Sequence, residues 1–243
     1  MTISTINNSQ RTAAKVAGFT CLFGIVIVVF ANYWLLNPLI VPGNAAETAR
    51  NIMAHQLQFR ITVTCFLTYS ASVFVLLTAL YVILKPVNQG LALVGALFRL
   101  AFALLWLLST LNMLGALRLL GSAPYLQVFE ADRLQALARL NVAANFDDYY
   151  LGLPFFGLAA TICAYLWLKS NYIPKALAAF GVIASAWCVI CAFVFLVFPS
   201  FNKVVNDYWF DSPMALFEIA VSFWLLFRGL RPPEVAEPIR ARS

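Results

Sequence analysis

Six long apolar runs, separated by short polar connections, constrain this chain more than any other feature. They cover approximately Ala14–Leu36, Ile61–Leu84, Leu91–Leu117, Tyr149–Leu168, Ala176–Phe198 and Pro213–Leu230. A helix needs roughly 20 apolar residues to cross about 30 Å of hydrocarbon, and each run is close to that length. Strands of a membrane barrel would be shorter and would alternate apolar with polar positions; these runs are continuous. In lipid the backbone finds no water, so a segment that satisfies its own N–H and C=O groups is required, and a helix does so. Composition agrees: the chain is 63% hydrophobic and 11% charged, where a soluble domain carries about 25% charged residues. The sequence therefore predicts an all-α, polytopic membrane helical bundle of about six transmembrane helices with two short external helices. One membrane domain is expected over residues 1–230 and a flexible cytoplasmic tail over residues 231–243, where two adjacent prolines discourage further helix.

Charge placement sets the expected orientation. Arg11, Lys15, Lys85, Lys169, Lys175, Arg228, Arg231, Arg240 and Arg242 fall on one side, in tails and short loops. Arg50, Arg60, Arg118, Arg133, Arg139 and Lys203 fall on the other. The positive-inside rule makes the first side cytoplasmic, so both termini are expected in the cytoplasm and the protein in a plasma membrane of the bacterial inner-membrane kind. Aromatic pairs such as Tyr33–Trp34 and Tyr149–Tyr150 stand at run ends, where rings with one polar edge settle at the headgroup level. Arg11 and Lys15 before the first run imitate a signal peptide. That run, from Val16 to about Leu36, exceeds the roughly 7–15 residues of a signal h-region and is expected to be a retained span. The net charge of +6 is accounted for by loops and tails, so the lipid bilayer, and no nucleic acid, is the expected partner.

The two cytoplasmic loops are short and each holds a proline, Pro86 and Pro174. Two external connections are longer. Asn44-Ala-Ala-Glu47 and Asp132-Arg-Leu-Gln135 both place an oxygen-bearing cap three residues before Glu or Gln, the spacing of a capping box. Short external helices are expected near Ala45–Gln58 and Asp132–Leu140. The repeated order of span, external helix and span hints at a hairpin repeat, although residue identity between the halves is poor.

Leu39-Ile-Val-Pro-Gly43, Leu84-Lys-Pro-Val-Asn88, Phe98-Arg-Leu100, Phe155-Phe-Gly157, Lys169-Ser-Asn-Tyr-Ile-Pro-Lys175, Phe217-Glu-Ile-Ala220 and Trp224-Leu-Leu-Phe-Arg-Gly229 follow one another in an order that resembles a bacterial membrane-protein family known as domain of unknown function 4386. The resemblance covers nearly the whole chain. It implies a multi-pass membrane protein of unassigned function and supplies no catalytic residues. Members of that family often carry a histidine in the turn before the fourth span, where this chain has Asn145-Phe-Asp-Asp148.

Arg99 and Glu218 are the sharpest chemical features. A charge near the bilayer centre costs about 2.5–3.5 kcal/mol on insertion scales and is usually paired or functional. Counted at 1.5 Å per residue from Leu91 and Leu230, the two lie about 12 and 18 Å deep, within reach of two long side chains. Two readings stand: a structural ion pair joining the third and sixth spans, or a proton, ion or substrate site. Polar residues accompany them. Thr64, Thr68 and Ser72 form a stripe at i, i+4 on the second span, Ser109 and Asn112 lie on the third, and Ser222 follows Glu218 by four. Such residues line hydrated cavities or pack helices against one another.

Other chemistries find little support. All five cysteines, Cys21, Cys65, Cys163, Cys188 and Cys191, fall inside apolar runs and suit small apolar fillers. Cys188-Val-Ile-Cys191 places two thiols on one helix face, yet a soft-metal or redox site would need further ligands. His55 is the single histidine, too few for multi-histidine metal or bis-histidine haem ligation. No lysine lies in a run beyond Lys15 at the edge of the first, and no phosphate-binding loop or nucleophile elbow occurs. Asp147 and Asp148 are expected at a helix start outside the membrane. No metal and no cofactor are expected, and an enzyme is the least favoured class. Two functions remain: a small transporter or channel-like component for an ion or small molecule, with Arg99, Glu218 and the polar residues as its interior, or a non-catalytic membrane regulator or assembly partner.

Overall fold

The computed structural model of the chain describes residues 6–205 and 207–232; the side chains of Asn202, Asp207 and Tyr208 lie outside that description. Beyond Pro232, the expected tail also lies outside the described residues. Seven α-helices follow in order: α1 (Asn8–Phe30), α2 (Ala45–Ala54), α3 (Gln56–Leu84), α4 (Gln89–Leu119), α5 (Ala131–Ser170), α6 (Lys175–Val197) and α7 (Asp207–Phe227). Among the described residues, six stretches are long and apolar enough to cross a bilayer: Asn8–Leu39, Gln56–Leu84, Gln89–Leu119, Ala131–Ser170, Lys175–Val197 and Trp209–Phe227. The chain is an all-α, multi-pass membrane protein, with no strand among the described residues.

Side-chain oxygens start several of these helices. Asn7 accepts from the Gln10 amide at 2.8 Å while Gln10 Oε1 accepts from the Asn7 amide at 3.2 Å, a reciprocal cap on α1. Asn88 accepts from the Leu91 amide at 3.0 Å to begin α4, and Asn44 accepts from the Glu47 amide at 3.0 Å to begin α2. Asn171 ends α5 in the left-handed region, with φ of 58°, which Asn tolerates better than most residues.

Consecutive spans pack side by side, α1 on α3, α3 on α4, α4 on α5, α5 on α6 and α6 on α7, and α7 returns to pack on α1. The six spans thus form a closed ring in which α4 stands opposite α7. One end of the ring carries Asn8, the 85–90 and 170–175 loops and Phe227; we call it the near end. The far end carries the long connections and α2. At the near end Gln10 Nε2 donates to the Ile83 carbonyl and to the Tyr172 hydroxyl, at 3.2 and 3.3 Å. Those bonds tie three segments together beneath a core built around Trp167, Tyr172 and Ile83.

The far end differs from the sequence expectation in two respects, the first being that the helix expected over Ala45–Gln58 stops at Ala54 and Gln56 already belongs to α3. The first external helix is separate: α2 ends at Ala54, and exposed His55 divides it from α3. The second is not. The segment expected to be a short helix from Asp132 to Leu140 is the start of α5, which runs 40 residues without a break. Glu130, not Asp132, is its cap position, and no side chain caps it. At 1.5 Å per residue α5 is about 60 Å long, twice the hydrocarbon thickness, so its first part projects past the far end, where α2 packs against it. Nothing from Asp132 to Tyr150 is Gly or Pro, so no local signal interrupts the helix. Asp147 and Asp148 therefore sit in mid-helix rather than at a helix start.

Without a hydrophobic force between helices in lipid, close approach through small residues supplies much of the association. α1 turns Ala14, Ala17, Gly18 and Cys21 inward, all of them buried. A methyl group on Gly18 would lie 2.6 Å from the Ser222 carbonyl oxygen and 3.0 Å from the Leu226 nitrogen, both backbone atoms of α7. Gly18→Ala is expected to lower stability by about 1–3 kcal/mol through overpacking of the α1–α7 contact. Gly90→Ala, whose methyl would meet nothing closer than 3.6 Å, serves as the control. Thermal melting in detergent reads both, and equal melting temperatures would contradict this account of ring closure.

Candidate functional site

The ring places one ion pair across its middle. Arg99 is ten residues from the near end of α4 and Glu218 nine from that of α7, so their depths are about 15 and 14 Å, halfway through the hydrocarbon. Arg99 Nη2 donates to Glu218 Oε1 at 2.9 Å. The residues are 4% and 8% exposed, so water does not screen the pair as it would at a surface. The other carboxylate oxygen of Glu218 lies 3.9 Å from the Cys21 thiol on α1. The Arg99 guanidinium stands 5.1 Å from the centroid of the Phe156 ring on α5, a cation–π distance. Four of the six spans thus meet at one pair of charges.

The pair is not fully satisfied by protein. Arg99 Nε is buried without an acceptor. A cavity of about 30 Å3 adjoins it, lined among others by Arg99, Glu218, Cys21, Ser222 and Trp167. A second, of about 10 Å3, touches Arg99 from the side of Tyr81, Leu84 and Ala92. Room for one water begins at about 10–15 Å3, so the first cavity accommodates water against both charges.

A second polar cluster lies further along. On α4 and α5, Ser109 donates to Asn145, and Asn112 Nδ2 donates to Asp148 Oδ2 at 2.7 Å. Tyr149 donates to Asp211 Oδ2 on α7 at 2.8 Å. Asn112 is thirteen residues from Arg99, about 20 Å along α4. Aromatic rings fill the space between the clusters. Trp106 meets Tyr69, Phe66 and Tyr149 edge-on, at 4.8, 5.2 and 6.4 Å between centroids. Phe102 stacks on Phe156 at 4.7 Å. Two polar levels are therefore separated by an aromatic one.

Of the residues singled out from the sequence, the structure brings Arg99, Glu218 and Ser222 to one cavity. Asn112 joins the second cluster instead. Ser72 is buried, but its hydroxyl donates to the Tyr69 carbonyl at 2.7 Å and stands at the α1–α3 contact opposite Gly24. Thr64 is exposed and Thr68 half-buried, and their hydroxyls donate to the Arg60 and Thr64 carbonyls of their own helix. Thr64 and Thr68 face away from the pair because they follow the outer side of α3, whose buried positions here are Thr62, Val63, Phe66, Ser70, Ser72 and Val73. From the sequence Cys21 was expected as an apolar filler and Asp148 at a helix start, and Phe156, Asn145 and Asp211 carried no expected role. For Asp211 a signal existed: it precedes Glu218 by seven residues, two helical turns, which places both on one face.

The sequence profile of a family described as "Domain of unknown function (DUF4386)" matches residues 16–229. An uncharacterized protein of Archaeoglobus fulgidus is 26% identical over 158 residues, 65% of this chain and 76% of that protein. No solved structure matches.

Breaking a buried pair from one side leaves an uncompensated charge. Arg99→Leu and Glu218→Gln are each expected to cost about 3–5 kcal/mol. The double variant Arg99→Leu/Glu218→Leu should recover most of that loss, since apolar groups of similar volume replace a buried pair at little cost. Melting temperatures of the four proteins in detergent test this. Single variants that melt like the wild type would show that the two charges do not depend on one another.

Proposed function

Because the chain belongs to the family described as domain of unknown function DUF4386, a description that assigns no activity, we propose from its own interior that it is a small transporter or channel-like component for protons or small ions. The observation that carries this reading is the ion pair at mid-depth, joining opposite helices of a closed ring beside a water-sized cavity. Apolar residues would hold α4 to α7 at least as well as a buried pair. Charges kept in the membrane centre mark ion and proton pathways. Glu218 is the group that changes state in this reading. Protonated, it no longer compensates Arg99, the link across the ring weakens, and α4 and α7 gain freedom to separate. Arg99 holds the carboxylate in place, while Cys21 and Ser222 line the space in which water contacts it. The small cavities correspond to a closed conformation.

The near end faces the cytoplasm of a bacterial-type inner membrane in this proposal, since Arg11, Lys15, Lys85, Lys169, Lys175, Arg228 and Arg231 cluster there. A non-catalytic membrane regulator or assembly partner is the second reading. It is favoured by the far-end projection of α5 with α2 packed on it, a surface outside the bilayer available to another protein.

Proteoliposomes loaded with a pH-sensitive dye distinguish the two. Wild-type protein should dissipate an imposed proton or small-cation gradient faster than empty liposomes. Glu218→Gln should abolish the excess flux, and Arg99→Leu/Glu218→Leu should be stable and inactive. Wild-type flux equal to that of empty liposomes for protons and small cations alike would overturn transport in favour of the second reading. Reporter fusions should give a cytoplasmic signal at Asn88 and an external one at Asn44; the reverse pattern would overturn the orientation.

A further inference from the structure

A groove of about 810 Å3 opens on the membrane-facing side of the near end, between the first turns of α1 and the last turns of α3. That volume lies within the roughly 300–1,000 Å3 of small-molecule sites. It shares no lining residue with the cavity beside the ion pair and owes nothing to the function proposed above. Ala13 and Ala79 form a buried floor, exposed Val16 and Val75 stand at its walls, and Thr12 and Thr78 add hydroxyls. The lining runs from Asn8 to Val16 on α1 and from Val82 back to Phe74 on α3. Each stretch is nine residues long, eight steps of 1.5 Å or about 12 Å. A single leaflet's hydrocarbon is about 15 Å deep. The groove thus starts at the headgroup level and ends within one leaflet.

Three cations stand on the turns of α1 and α3 beside the groove without lining it, and Lys85 Nζ lies 6.0 Å from the Tyr81 ring. Arg11 follows Asn8 by three residues, Lys15 follows Thr12 by three, and Lys85 follows Thr78 by seven, spacings of one and two helical turns. All three are exposed. On α1 the side chains tilt toward the helix N-terminus, which is the near end, so Lys15 reaches back to the headgroup level while its stem covers apolar surface. The described near-end residues 6–16, 81–92, 168–178 and 226–232 contain no acid. We propose that this groove is a binding site for an anionic phospholipid of the near-end leaflet, its acyl chain over Ala13 and Ala79 and its headgroup among Arg11, Lys15 and Lys85. Depth selects lipid over a helix of a second copy, which would need a seam across the full bilayer, and charge selects an anionic headgroup over a zwitterionic one.

Native mass spectrometry of protein delipidated in detergent tests the site, with phosphatidylglycerol and phosphatidylcholine added in equal amounts. Wild-type protein should retain phosphatidylglycerol preferentially. Lys15→Gln and Lys85→Gln should each weaken its retention about fivefold, from the ~1 kcal/mol that one cation contributes near an anionic surface. Thr78→Trp puts a ring into the groove from an exposed position and should remove the bound lipid while the melting temperature of lipid-free protein stays unchanged. Equal retention of the two lipids by wild-type protein would overturn the selectivity. Undiminished retention by Thr78→Trp would overturn the location. A lipid-free dimer that Thr78→Trp dissociates would assign the groove to a second copy and overturn the proposal.

Discussion

One ion pair fixes how this ring of helices holds its centre. α4 and α7 are opposite members of the ring, and the ring's packing runs through neighbours, so only long side chains bridge the gap. Arg99 and Glu218 supply that bridge at 2.9 Å, and Cys21 and Phe156 bring α1 and α5 to the same point. In water such a pair would be worth little. In hydrocarbon neither charge has an alternative to the other, so the two helices are constrained to one register: a shift of a single turn would move the charges about 5.4 Å apart along the axis.

That register is what the rest of the packing is cut to. Gly18 admits the α7 backbone at Ser222, one turn from Glu218. On α6, Gly181 stands where the Phe217 ring passes; a methyl there would lie 2.3 Å from a ring carbon. Phe217 and Glu218 are adjacent, so the contact that seats the ring against α6 also aims the carboxylate at Arg99. The small residues and the charges form one arrangement, in which close helix approach sets the reach of the side chains and the side chains hold the approach. Beyond it, Phe102, Phe156, Tyr69 and Trp106 close the space toward the second polar cluster.

The spans and the pair were legible in the sequence because both follow from the cost of polarity in lipid, which acts residue by residue. Arg99 and Glu218 stand out in apolar runs whatever the tertiary structure. The rest needed the ring. Thr64, Thr68 and Ser72 share a spacing, but spacing does not say which side of α3 faces inward, and Thr64 faces out with its hydroxyl satisfied by its own helix. The start of α5 was hidden for a related reason. From Asp132 to Tyr150 the composition turns polar while the backbone stays helical, because Asn145 and Asp148 find partners in Ser109 and Asn112 of the neighbouring helix. Hydropathy marks where a helix enters lipid, not where the helix begins.

The two polar levels have opposite physical characters, and this gives the interior a direction. The deep level balances one cation against one carboxylate, with water-sized space beside it. The level near the far end gathers Asp148 and Asp211 among amides and hydroxyls, and no ion pair involving Asp148 occurs among the described residues. Asp148 is twenty residues from Leu168, about 30 Å along α5, and so stands near the far boundary of the hydrocarbon, where a carboxylate is less costly than at the centre. On the transporter reading proposed above, a cation coming from the far side would meet carboxylates first and the Arg99 guanidinium last, so the electrostatics would favour its entry and oppose its passage. Only a change in Glu218 or Arg99 alters that second barrier.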